Sequence, residues 1–132
     1  MKNFQPKDLD DAVDHILSII SQDEKSIEVL EKYDGDEDGF SGELHMFFGR
    51  NIRNEWNLWW YQNHNFENWP KEIPEIVKYF NDIKIYHADD MSGIILTTVY
   101  RKFFNLPIDL DDQIKKYHAH WFESVGDINP MK

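Results

Sequence analysis

Between Gly42 and Trp60 the large apolar residues recur every four positions: Leu44, Phe48, Ile52, Trp56 and then Trp59 or Trp60. A helix turns once in about 3.6 residues, so this spacing lays the ladder along one face. It is the most apolar helical face in the chain, while Arg50, Arg53, Asn54 and Asn57 occupy its other sides. The face must be covered, which requires further helices carrying stripes of their own. Leu9, Ala12, Val13, Ile16, Leu17 and Ile20 form one such stripe. Met91, Ile94, Ile95, Thr98, Val99 and Phe103 form another, and Leu110, Ile114, Tyr117 and Trp121 a third. The expected fold is all-α: a single compact domain over residues 1–132 with five to six helices and room for one very short strand pair.

Start and stop signals place the boundaries. Asp8 is positioned to cap a first helix running to about Ile20. Ser21 followed by Glu24 reads as a capping box for a second, which stops near Asp34-Gly35. The third helix is expected over Gly42–Trp60, followed by a loop from Tyr61 to Pro74. A short helix from Pro74 to Phe80 begins with proline in its first turn. Ile83 and Ile85 alternate with polar neighbours, the pattern of a very short strand. Asp89 or Asp90 caps the next helix, Leu106-Pro107 ends it, and Asp109 caps the last.

Composition narrows the function classes. Apolar residues make up 41% of the 132, with five Trp, six Tyr and nine Phe, too many for a disordered chain. The 25 acidic residues against 14 Lys and Arg give a net charge of −11. On average that repels bare nucleic acid and anionic membranes and attracts a basic partner. With no cysteine there is no disulfide, thiolate chemistry or cysteine-bound zinc. No run approaches the roughly 20 apolar residues of a membrane span. The first residues lack the apolar stretch of a secretion signal, so the cytoplasm is the expected location.

Few motifs carry chemistry. Asp34, Asp36 and Asp38, with Gly39 after them, match the first half of an EF-hand loop. The twelfth position, where a bidentate Glu belongs, is His45, and no second loop exists to pair with it. We read the stretch as an acidic inter-helix turn, with calcium binding as the alternative and no other cofactor implied. The six histidines show no i, i+4 pair suited to zinc. His87 with Asp89 and Asp90 could form an acid–base cluster, although an aspartate at a helix start is more simply a cap. Arg50, Arg53 and Asn54 stand beside the tryptophans, a combination enriched in protein interfaces. Arg53 could equally pair inward with Asp89 or Asp90 and anchor two helices. Phe66 and Trp69, in the expected loop, are candidates for partner contact.

Two segments carry a resemblance. LHMFFGRNIRNEWNLWW and YFNDIKIYHADDMSGIIL resemble a family of small bacterial proteins catalogued as a domain of unknown function, which shares an Ile-Arg-Asn…Leu-Trp and an Asp-Asp-Met-Ser segment. The similarity covers most of residues 6–122 and rests on Gly49, Ile52, Arg53, Asn54, Leu58, Trp59, Asp89, Asp90, Met91 and Ser92. It implies a helical domain and carries no activity. By analogy with small acidic proteins that neutralise toxins, the expected function is non-enzymatic protein binding of immunity or antitoxin type. Arg50, Arg53, Asn54, Phe66, Trp69, Asp89 and Asp90 are then the contact candidates, and the partner is a toxin with a basic surface. The alternatives are a calcium-binding module using Asp34–Asp38 and an enzyme with a dispersed Arg53, Asn54, His87, Asp89 and Asp90 site.

Overall fold

The computed structural model describes residues 4–60 and 71–125. Among them are seven α-helices: α1 (Leu9–Ser21), α2 (Glu24–Lys32), α3 (Glu37–Leu44), α4 (Arg50–Glu55), α5 (Glu75–Asp82), α6 (Ala88–Phe103) and α7 (Leu110–Val125). A single π turn, His45–Gly49, joins α3 to α4. No strand occurs among the described residues, and no helix there is long and apolar enough to cross a membrane.

The organising element is α6. Its interior residues are apolar nearly all round, so it is enclosed rather than laid on a surface. It packs against α1, α3, the π turn, α4 and α7. One apolar cluster gathers Ile16 of α1, Ile52 of α4, Ile76 and Phe80 of α5, and Ile94 and Val99 of α6 around Trp56. A second, smaller cluster joins Leu30, Tyr33 and Phe40 to Leu96 and Tyr100 on another side of α6.

The expected ladder is present but its helix is not continuous. It starts at Glu37 rather than Gly42, because Asp36 accepts a hydrogen bond from the Gly39 amide at 3.0 Å and caps α3. Four-residue steps on a 3.6-residue helix drift by about 40° each. One wider turn at 45–49 takes up that drift, so Phe48 still packs on the core when Ile52 and Trp56 are fully buried. The helix ends at Glu55 rather than Trp60. There Asn57 adopts φ 56 and the Leu58 amide reaches the Arg53 carbonyl at 2.9 Å. This is a Schellman closure with a buried apolar residue after the left-handed one.

The same closure explains the misread strand. Lys84 has φ 67, and the Ile85 amide reaches the Phe80 carbonyl at 2.8 Å. Ile83 and Ile85 are therefore apolar because they close α5, not because they alternate across a sheet. Two cap assignments also change. Asp23, not Ser21, caps α2, accepting from the Lys25 amide at 3.3 Å and the Ser26 hydroxyl at 2.8 Å. His87, not Asp89 or Asp90, caps α6.

Candidate functional site

The two distinctive sequence segments meet at Arg53. It lies on α4 and is only 6% exposed. Its Nη1 donates to Ser92 Oγ at 2.8 Å, and its Nη2 donates to the His45 carbonyl at 3.1 Å. Nε faces Asp89 Oδ1 at 3.4 Å, an ion pair without a well-formed hydrogen bond. A π turn interrupts the regular i→i+4 ladder, and here the guanidinium inserts at that interruption. Ser92 passes the link on by donating to the Asp89 carbonyl at 3.0 Å. Burial pulls the Arg53 guanidinium below its ordinary pKa, and Asp89 opposes that pull.

Gly49 makes room for this arrangement. A Cβ there would stand 2.8 Å from Arg53 Nη1. Gly93 plays the same part on α6, where a Cβ would collide with the Tyr117 hydroxyl of α7.

Asp89 is the point where this buried network reaches solvent. Its side chain is 43% exposed, with His45 Nε2 at 4.0 Å from Oδ1 and His87 Nδ1 at 3.8 Å from Oδ2. His87 Nδ1 accepts the Asp89 amide at 3.1 Å, so that nitrogen carries a lone pair and the imidazole serves as the helix cap.

Asp89 opens on a polar cleft of about 530 Å³ between α3, α6 and α7. Glu37, Asp38, Asp89, Asp90 and Asp112 face it, against Arg101 and Lys116. Arg101 is already engaged: Nε and Nη2 donate to the two Glu37 carboxylate oxygens at 2.6 and 3.1 Å, and Nη1 donates to the Ile108 carbonyl at 2.6 Å. The Glu37 hydrogen bonds hold its pKa above the ordinary arginine value. Asp90 is nearly buried, 8% exposed. Tyr117 beside it is raised in pKa by burial first and by Asp90 second.

The expected site residues divide accordingly. Asp89 and Asp90 line the cleft, and Arg53 lies behind its walls, joined to it through the ion pair with Asp89. Arg50 and Asn54 are exposed and lie outside its walls. Phe66 and Trp69 lie outside the described residues. Asp34, Asp36 and Asp38 are exposed, and the stretch is a turn followed by the start of α3 at Glu37. Gly35 at φ 80 makes the turn. Tyr100 fixes it by donating its hydroxyl to the Tyr33 carbonyl at 2.6 Å and accepting the Asp36 amide at 3.1 Å. Among the described residues no group of three His, Asp or Glu side chains is arranged to hold a metal ion.

Sequence reasoning missed the Glu37–Arg101 pair, the Tyr117 wall and the His45 carbonyl. The first joins positions far apart in the chain with no motif around either. The last is a backbone group, and no residue pattern announces that it accepts from a side chain.

The assembly defines a class: an all-α domain whose central helix is locked by a buried arginine beside an acidic cleft. The chain belongs to the family described as a domain of unknown function, DUF6794, whose model matches residues 5–103. Both distinctive segments fall inside that match, whereas α7 and its contribution to the cleft fall beyond it. No curated protein and no solved structure matches the chain.

Proposed function

We propose that this protein works by direct binding to a basic segment of a partner protein, and that the cleft between α3, α6 and α7 receives it. One observation carries the reading. Five carboxylates face the cleft against two cations, and with Arg53 paired to Asp89 from behind the walls the acids still outnumber the cations five to three. The local excess of negative charge is set in a chain of net charge −11, so it would draw a Lys- or Arg-rich surface by long-range steering. The finer proposal is an immunity or antitoxin role, in which the acidic face covers a toxin's basic active-site surface.

The test is capture of partners from the native host, followed by titration against salt. Binding should weaken steeply with ionic strength, and Asp38→Lys with Asp112→Lys should weaken it further while leaving the thermal transition in place. Both residues are exposed and make none of the Arg53 contacts. A host lysate that yields no partner, or a partner whose affinity ignores both salt and these reversals, removes the proposal.

An enzyme with a dispersed site has one supporting observation: the Asp89 carboxylate stands between His45 and His87 where the cleft opens. Turnover of a hydrolase substrate panel that survives in wild type and disappears in a folded Asp89→Asn variant would favour it.

A further inference from the structure

On another side of α6, where α1, α2 and α3 converge, is a groove of different character. Its volume is about 260 Å³, and Ile16, Ile20, Val29, Leu30, Phe40 and Leu96 supply most of its walls. Ile16 belongs to the larger apolar cluster and Leu30, Phe40 and Leu96 to the smaller, so the groove is a seam that the two clusters leave open. A water molecule settles in such a space only with two to four polar partners. The one hydroxyl on the walls, Ser26 Oγ, already donates to Asp23 Oδ2 at 2.8 Å. An apolar occupant would thus displace water at no loss of hydrogen bonds.

Lys25 decides which apolar occupant. Among the described residues it is the only charged one on the groove walls, in a chain where acidic residues outnumber basic ones 25 to 14. Lys25 is exposed, and its ammonium has no ion-pair partner within 4.0 Å among the described residues, unlike Arg53, Arg101 and Lys102. Glu24 and Glu28 of the same helix lie off the walls. A cavity of about 150 Å³ accommodates benzene, so this one has space for a chain of about ten carbons.

We infer that the groove between α1, α2 and α3 binds a medium-chain carboxylate, with the alkyl tail in the seam and the head group on Lys25. This inference is independent of the acidic cleft and of any protein partner.

Decanoate, titrated calorimetrically below its micellar range into the full chain, tests it against two probes with the same tail, decanol and decylammonium. Decanoate should bind one-to-one and raise the melting temperature, with decylammonium about fivefold weaker or worse. Lys25→Glu should invert that order. Val29→Trp, at an exposed position on the lip, should block all three probes while leaving the helical circular dichroism and cooperative unfolding unchanged. Absence of decanoate binding at about 1 mM, or binding indifferent to both variants, overturns the site. Binding that Val29→Trp blocks but Lys25→Glu leaves unaltered overturns the carboxylate assignment.

Discussion

Two arginines hold the two ends of α6, and they do so by different means. Arg101 meets a matched partner: a bidentate carboxylate from Glu37 and a carbonyl, in a setting where both side chains keep some contact with water. Arg53 meets a hydroxyl, a backbone carbonyl and one carboxylate at 3.4 Å, in a setting where it is nearly enclosed. The shifts run in opposite directions for that reason. Hydrogen bonding to Glu37 dominates at Arg101, and desolvation dominates at Arg53. The Glu37 pair tethers α3 to α6 near the surface. The Arg53 network fills space inside the fold and would leave buried polar groups orphaned if it were lost.

The largest effect should come from Arg53→Ala. We expect about 3 kcal/mol of lost stability in urea unfolding, because the Ser92 hydroxyl and the His45 carbonyl each lose a donor and a cavity remains. Arg53→Lys should recover little of it, since a point ammonium cannot span three acceptors. Next comes Gly49→Ala, which pushes a methyl against the pinned guanidinium and should cost about 2 kcal/mol. In an Arg53→Ala background the same change should be nearly neutral, and a double-mutant cycle measures the coupling. Arg101→Ala should cost about 1 kcal/mol or less, shrinking in high salt, because its pair is partly solvated. If Arg101→Ala proves as damaging as Arg53→Ala and equally insensitive to salt, the contrast between the two ends fails.

The smallest expected effect concerns pH. Both arginines stay charged across the neutral range, so neither should make stability pH-dependent there. His15 should. It stacks on Phe4 with ring centroids 3.8 Å apart and its Nε2 is buried without a partner, and burial lowers its pKa. The folded state therefore prefers neutral imidazole. Its contribution is present above the unfolded value of about 6.5 and declines as pH falls through that value toward the folded one. Melting temperatures from about pH 7 to pH 5 should fall less steeply in His15→Phe than in wild type.

Much of the scaffold was legible because burial leaves a periodic trace. The stripes of α1 and α6 and the ladder through Phe48, Ile52 and Trp56 announce themselves at helical spacing, and Asp8 caps α1 where its chemistry requires. The pairing of Arg53 with an acidic residue of the following segment was one of two readings open, and the structure adopts it with Asp89. The termini were harder. Asn57 and Lys84 end their helices in the left-handed region without a glycine to mark the place, so periodicity alone runs one helix too long and gives one closure the pattern of a strand.

What the sequence determined by itself is the all-α class, the acidic balance and the residues able to fill a core. Each follows from composition and from a period set by backbone geometry. The tertiary structure alone decided that Glu37 would meet Arg101, that Tyr100 would organise the acidic turn, and that the His45 carbonyl would be offered to Arg53. Those contacts join residues distant in the chain or depend on a backbone group, and neither leaves a pattern along the sequence. They arise when the packing of helices around α6 brings particular atoms within hydrogen-bond reach.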